Sequence, residues 1–482
     1  MTTFTDGEWH RLHPATPFLR GGLTLVAIVG IVVVNLRDIL IDQFFGRSDD
    51  DGDPLVWVTE NGYAGLALVA VLVFIALLVA GFYVSWRMHT FRITDEVVEV
   101  RSGILFRTNR KARLDRVQGI NIQRPFLARL FGAARLEVNV AGNDANVKLD
   151  YLSSAAADEL RLEILRLASG STDAATVVVP GSRLNELLAP ELDPSTVKAV
   201  VSMHLGRLLG AIILSESTLV LVALIAGPIV FAAITGEPIA LVVIFPSVIG
   251  MGSFVVRRFT KSLRYTISST DDGIRIGYGL LSTSNETLPP GRIHAVEVSQ
   301  PLLWRIGGWW EIKINRASTS QANGAAGQAN TTILPVGNLD EVTRVLDLLL
   351  PGFSPELLHA GLLGGGPFTN SPPRARVVRL FSVKRNSYAL IPGAVLFRRG
   401  AIWRSLTVVP LARAQSVTVE QGPLERRLRL AMLRVHTVTG PVTARLGAVD
   451  VQDASAFFDA ASVEVVASAT NDTAHRWRQA PA

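Results

Sequence analysis

Arginines stand at two recurring places in this chain. Arg116, Arg292 and Arg413 each open an alternating, strand-like stretch, and Arg129, Arg305 and Arg426 each follow the turn that closes it. A guanidinium presents a planar fork of donors that fits phosphate. The chemistry within reach is therefore anion or lipid-headgroup binding at a sheet edge. The structural alternative is an arginine tying a β-rim to backbone carbonyls or to a carboxylate. Just after the first arginine of each set stand Gln118, His294 and Gln415. His294 is the natural acid–base group, but a glutamine shares only its hydrogen bonding, never its proton transfer. No nucleophile, base or metal set recurs between the copies. His10 and His13 have too few companions for a metal. The run GLLGGGP, Gly361 to Pro367, has neither a P-loop lysine nor a dinucleotide-binding pattern and reads as linker. These residues point to a non-enzymatic protein with no cofactor and no metal.

The elements that place those arginines are written three times. RVQGINIQRPFLARLFG begins at Arg116, RIHAVEVSQPLLWRIGG at Arg292 and RAQSVTVEQGPLERRLR at Arg413. Gly103, Gly279 and Gly400 stand the same distance ahead of the three arginines. Ile120/Ile122, Val296/Val298 and Val417/Val419 give the period-two alternation of a strand. Leu127, Leu303 and Leu424 mark the turn, and strands LEV, IKI and LRV follow from Leu136, Ile312 and Leu433. The first hairpin of each copy is expected to turn at Asp95-Glu96, at Asp271-Asp272-Gly273 and at Pro392-Gly393. Each copy closes with a helical pattern, from Ser153, from Asn338 and from Val451, with capping and acidic residues near its start. Several antiparallel strands with one C-terminal helix predict a small barrel or sandwich plugged at one end.

The chain has 482 residues, a formal net charge of +6 and no cysteine, which excludes disulfides and thiolate chemistry. Its mean hydropathy of +0.33 is concentrated in four apolar runs: Gly21–Leu36, Tyr63–Trp86, Leu219–Gly236 and Pro238–Val256. Each predicts a membrane-crossing helix, the four forming two hairpins. The first run lacks a signal-peptide cleavage site. Arg11 and Arg20, Arg87 and Arg92, Arg207, and Arg257, Arg258, Lys261 and Arg264 flank the runs, whereas the loop between the first two is acidic. The positive-inside rule puts both termini and all large soluble segments in the cytoplasm. Arg37, Asp38 and Glu216 fall toward helix ends, where they can snorkel.

The combination of apolar hairpin, G-I-L, R-V-Q-x-I-x-I and L-x-R-x-x-G resembles the bacterial membrane-flanked domain, a pleckstrin-homology-like (PH-like) fold of the YdbT type. The resemblance runs from about Leu23 to Val466. It implies seven strands capped by a helix, and a small single-module membrane protein as a companion. The third copy departs from the pattern, having no hairpin and Arg429 where the others have Gly132 and Gly308.

The expected organisation is a cytoplasmic segment over residues 1–20, a transmembrane hairpin over 21–86 and a first module over 87–170. A second hairpin follows over 207–257, then a second module over 258–352, a Gly/Pro-rich linker over 353–373, a third module over 374–466 and a disordered tail over 467–482. The fold class is an α+β membrane protein with four transmembrane helices and three tandem PH-like modules. The third module is the basic one, with no acidic residue between Arg374 and Val419. Its Arg398, Arg399, Arg404, Arg413, Arg426, Arg427 and Arg429 are the candidates for anionic lipid or a protein partner. No aromatic stacking pattern accompanies the charge, so nucleic acid is not expected. The function expected is a multi-pass scaffold of the bacterial inner membrane. It would present its modules to inner-leaflet lipids, to the companion protein or to other copies of itself, in envelope stress or antimicrobial resistance. The rival is lipid handling or transport through the membrane part.

Overall fold

A computed structural model describes residues 7–16, 64–103, 107–141, 146–169, 199–236, 244–270, 273–279, 282–289, 291–317 and 331–472, with Leu19, Gly30 and Val242 besides. The strands it describes fall into four antiparallel sheets. The first contains β1 (His10–Arg11), β2 (Thr90–Ile93), β3 (Val97–Ser102) and β4 (Thr108–Arg113), in that order. The second joins β5 (Val117–Arg124), β6 (Ala133–Val140) and β7 (Val147–Ser153) to β8 (Ala199–Ser202), β9 (Thr266–Thr270), β10 (Gly273–Tyr278) and β11 (Thr283–Leu288). Its order is β7-β6-β5-β11-β10-β9-β8. The third repeats that plan with β12 (Ala295–Gln300), β13 (Trp310–Asn315), β14 (Thr332–Gly337), β15 (Thr369–Asn370), β16 (Ser387–Ile391), β17 (Ala394–Arg399) and β18 (Arg404–Pro410), in the order β14-β13-β12-β18-β17-β16-β15. The fourth is β19 (Ser416–Glu420), β20 (Leu430–His436) and β21 (Arg445–Asp450).

Consecutive modules therefore share sheets. The alternating strand of the first module, β5, pairs with β11 of the second, setting Ile120 opposite Thr287 and Arg124 opposite Thr283. The alternating strand of the second module, β12, pairs with β18 of the third, setting Val296 opposite Val408 and Gln300 opposite Arg404. Ile120 and Val296 are equivalent in the repeat, as are Thr287 and Val408, so the two junctions have one register. Pairing on both sides explains why β5 is buried almost throughout, Asn121 included. Asn121 accepts a hydrogen bond from the Ser284 hydroxyl across the junction at 2.8 Å. Glu286 and Arg316 form a buried ion pair beside it. At the second junction Asn315 donates to the Val442 carbonyl at 2.7 Å and accepts from its N–H at 2.9 Å.

Turns and glycines follow the sequence closely. β2 and β3 are joined through Thr94–Glu96, β9 ends at Thr270 before β10 opens at Gly273, and β16 and β17 are joined by Pro392-Gly393. Gly103, Gly279 and Gly400 all have positive φ (103°, 104° and 83°) at the turn into the next strand. A Cβ on Gly279 would lie 1.9 Å from the Ser282 carbonyl oxygen, and one on Gly400 would lie 1.7 Å from that of Trp403. Only glycine fits this turn.

The helices, numbered along the chain, are α1 (Ala64–Arg87), α2 (Phe126–Leu130), α3 (Ser154–Ser169), α4 (Leu205–Ile213), α5 (Glu216–Thr235), α6 (Ile244–Ser262), α7 (Leu339–Leu349), α8 (Pro355–Leu363), α9 (Pro423–Arg427) and α10 (Val451–Thr470). The closing helices α3, α7 and α10 stand where the sequence patterns lie. At α7 Asn338 and Glu341 form a reciprocal capping box. α8 occupies the stretch expected to be linker, with Ser354 as N-cap, Pro355 in its first turn and Gly364 in the left-handed conformation at its end.

The expectation of four transmembrane helices in two hairpins is corrected. Among the described residues one helix, α5, is long and apolar enough to cross a membrane by length and composition. The run Gly21–Leu36 lies almost wholly outside the described residues, as do the boundary segment 1–6 and the tail 473–482. In α1 the stretch that stands as an apolar helix among the described residues is Val73–Arg87. α6 takes Arg257, Arg258 and Lys261 into its own last turns, which shortens its apolar stretch.

Candidate functional site

The start of α5 is where the second and third modules meet. α4 precedes it with a buried side, Leu208 and Ala211, and an exposed one, Leu205, Leu209 and Ile213. The buried side is held by two tryptophans of the second module. Trp304 donates its indole N–H to the Ala211 carbonyl at 3.0 Å, and Trp309 lies so close to Gly210 that a Cβ there would sit 2.6 Å from the ring. Ser215 caps α5 by accepting from the Thr218 N–H. The next residue, Glu216, takes a hydrogen bond from the indole N–H of Trp403 in the β17–β18 turn.

An apolar surface surrounds that contact. Leu302 and Ile306 of the β12–β13 turn are exposed, Ile306 by 81%. Ile402 and Trp403 are exposed on the neighbouring turn, Trp403 by 56%. The arginine of the recurring turn, Arg305, ties the two together by donating to the carbonyls of Ala401 and Ile402. The first module has the same arrangement: Phe126 and Leu130 are exposed on α2, while Ala128 and Tyr151 pack with Leu19, just ahead of the first apolar run. In the third module Leu424 is exposed in the equivalent turn, now beside exposed Arg426, Arg427 and Arg429.

Four arginines gather behind the Ile402/Trp403 turn. Arg398 and Arg404 lie on one face of the sheet, Arg404 diagonal to Arg398 because Arg398 pairs with Leu406. Arg385 joins them at α8: the guanidinium tips of Arg385 and Arg398 would lie 3.8 Å and 4.0 Å from a Cβ on Gly364. Arg305 completes the group. Arg385 donates to the Leu362 carbonyl at 3.0 Å. Arg398 donates to the Gly365 carbonyl at 3.5 Å and to Asn370 at 3.4 Å, and stacks 4.5 Å from the Phe368 ring centre. All four have a buried Nε without a hydrogen-bond partner. Among the described residues none of them is ion-paired to a carboxylate. Burial, reinforced by Arg404, Arg398 and Arg305, pushes Arg385 down to about 10. Burial also lowers Arg398, and lowers Arg305 with help from Arg404. Concentrated positive charge with open donors is an arrangement an anion would relieve.

The other candidates do not join this group. Arg399 is paired with Glu297 at 3.0 Å, and Arg413 with Asp472 at 2.7 Å. Arg426, Arg427 and Arg429 stay on the α9 turn. Of the first motif arginines, Arg292 donates to the Asp115 carbonyl of the first module at 3.2 Å, stitching the junction, and Arg116 is exposed. Arg129 lies in the last turn of α2, where its carbonyl accepts from the Gly132 N–H. Gln118 is buried and Gln415 exposed, and burial lowers the pKa of His294 against a hydrogen bond to the Arg413 backbone that raises it. The three share a place in the repeat and no acid–base chemistry. A cleft of about 300 Å³ on the other side of Trp403 is lined by Glu216, Glu297 and Glu311 with Lys313, a surface of the wrong sign for an anion.

Sequence reasoning singled out Arg398 and Arg404, gave Arg305 a structural role, and passed over Arg385 and Trp403. The signal for Trp403 was present: a tight turn holding Ile402 and Trp403 beside an arginine is the composition of a membrane-interface anchor.

The sequence profile of the bacterial PH domain matches this chain over residues 31–168, 208–352 and 345–464. This chain belongs to the bacterial PH domain family. It is 21% identical over 431 residues to the UPF0699 transmembrane protein YdbT of Bacillus subtilis (strain 168), across 84% of this chain and 80% of that protein. No solved structure matches it. Among its three bacterial PH domain stretches the third is set apart at the recurring turn. Gly132 and Gly308 have φ of 62° and 63° there, and Arg429 is held at 50°.

Proposed function

We propose that the chain is a membrane-anchored, non-enzymatic scaffold whose PH-like modules lie against an anionic leaflet, and that Arg305, Arg385, Arg398 and Arg404 hold a lipid phosphate there. The observation that carries this reading is the Trp403–Glu216 hydrogen bond. It sets the turn that carries Arg404 beside the start of α5, where a crossing helix would enter the headgroup layer. Around it the exposed faces of α4, Leu302, Ile306 and Ile402 would rest in the interface, where amphipathic helices and tryptophan partition. Arg207 before α5 and Arg257, Arg258 and Lys261 in α6 favour the cytoplasmic side for this face.

The test uses the full chain, because the third module shares its sheet with the second and β18 would be left bare in isolation. Wild type and Arg385→Gln/Arg404→Gln are purified from the same membranes, and the anionic phospholipid that accompanies each is quantified. Wild type should retain anionic lipid and gain thermal stability when phosphatidylglycerol is added, and the variant should do neither. Equal lipid retention and equal stabilisation in both would overturn the assignment.

A further inference from the structure

Among the described residues the chain makes one kind of junction twice and leaves both halves of a third unmade. β5 with β11, and β12 with β18, pair antiparallel in the same register. In the first module the counterpart of β11 and β18 is β4. Among the described strands it is bonded to β3 alone, and its residues from Thr108 to Lys111 are exposed. In the third module the counterpart of β5 and β12 is β19, which among the described strands is bonded to β20 alone. The equivalent strands β5 and β12 are mostly buried, whereas Ser416, Val419 and Glu420 of β19 are exposed.

We infer that β19 of one copy pairs antiparallel with β4 of a second copy, continuing the internal junction from chain to chain. Carrying the observed register across sets Val417 opposite Lys111, Thr418 opposite Arg110, Val419 opposite Asn109 and Glu420 opposite Thr108. The charges fit a second copy. β4 carries Arg110, Lys111 and Arg113 and no acid, whereas β19 carries Glu420 and no base. Glu420 then meets Arg110 on the diagonal, a favourable cross-strand neighbour. An edge strand with open donors and acceptors is a template for such addition. Because the two edges differ, the contact is heterologous and builds chains or rings rather than a closed symmetric pair. This inference goes beyond lipid reading and stands without the arginine cluster.

Disulfide trapping tests it directly, since the chain has no cysteine of its own. Directly opposed strand residues lie within disulfide reach. Full-length Val419→Cys and Asn109→Cys copies carrying different tags are co-expressed, and their membranes are oxidised. A second matched pair, Thr418→Cys with Arg110→Cys, covers the alternation of close and wide pairs along the ladder. A mixed dimer should appear in at least one matched pair, and a chain carrying both cysteines of that pair should give a ladder of multimers. Val419→Cys with Arg113→Cys, out of register, should stay monomeric. Absence of a mixed dimer in both matched pairs would overturn the inference. So would an equal yield from the mismatched pair, or a dimer from Val419→Cys alone. All these positions lie on β4 or β19, and Asn109, Arg110, Arg113 and Val419 are exposed, so an unchanged unfolding temperature for each variant checks that the fold is kept.

Discussion

Trp403, at the tip of a turn in the third module, donates its indole N–H to Glu216, the first residue of α5, across 187 positions of chain. The third module has no apolar helix pair of its own, and this hydrogen bond is how it reaches the start of α5. The same turn places Arg404 beside Arg305, so in the proposed function anchoring and anion binding would depend on one short stretch.

Trp403→Phe keeps the ring and removes the donor. A hydrogen bond to a charged group contributes about 1.5–3 kcal/mol, less at an exposed position such as this one. Amide hydrogen exchange at Ala401–Arg404 should speed several-fold in the variant, with the exchange of β20 and β21 unchanged. Identical exchange in the turn would mean that the contact does not hold it.

The four clustered arginines repel one another while no anion is bound. Arg404→Gln should therefore leave thermal stability in neutral detergent unchanged or higher, and should remove the rise that anionic lipid gives wild type. Wild-type stabilisation by ligand follows mass action, about 2.7 kcal/mol at a hundredfold excess over Kd. Unfolding temperatures across a lipid titration read both effects.

The glycines of the recurring turns are unequal. Gly400→Ala meets a carbonyl oxygen and a positive φ together and should cost about 1–3 kcal/mol. Gly308→Ala meets open space and should cost less. The reverse change, Arg429→Gly, relieves a left-handed arginine and should stabilise by about 0.5–1 kcal/mol. Denaturant midpoints of the three variants should rank in that order.

Acid should loosen the first module through Glu99. The carboxylate is buried and bonded to Lys111 at 2.6 Å and to Arg92 at 3.0 Å. The Lys111 hydrogen bond leads in holding its pKa below the ordinary value, with Arg92 adding to it against the opposing effect of burial. A depressed carboxyl pKa contributes stability that is present above the unfolded value of 4.5 and lost as pH falls through the folded one. Glu99→Gln should cost about 1–3 kcal/mol at neutral pH and flatten the acid limb. Parallel acid limbs in both proteins would contradict the assignment.

What could be read from the residues was local. Period-two alternation, the turn at Pro392-Gly393 and the capping pattern at Asn338 all report on neighbours in sequence, and each stands where it was expected. Strand partners are a different matter. Nothing in Ile120 and Ile122 says that β5 bonds to a strand of the next module, because alternation fixes which face is buried and leaves the pairing open. α8 was legible from Ser354, Pro355 and Gly364 but was hidden by the glycines that follow it. The arginine cluster could not be read from sequence, since Arg305, Arg385 and Arg404 come together only through the shared sheet and the helix packed on it.

The most direct test of the account is the depth of the turns in a bilayer. Nitroxide labels on Ile306→Cys and Ile402→Cys, with Thr108→Cys on the β4 edge as the aqueous reference, are compared in nanodiscs by power saturation. At 306 and 402 relaxation by oxygen should exceed relaxation by a water-soluble nickel chelate, and at 108 the order should reverse. Labels at 306 and 402 that behave like the one at 108 would place the modules away from the membrane and contradict the account.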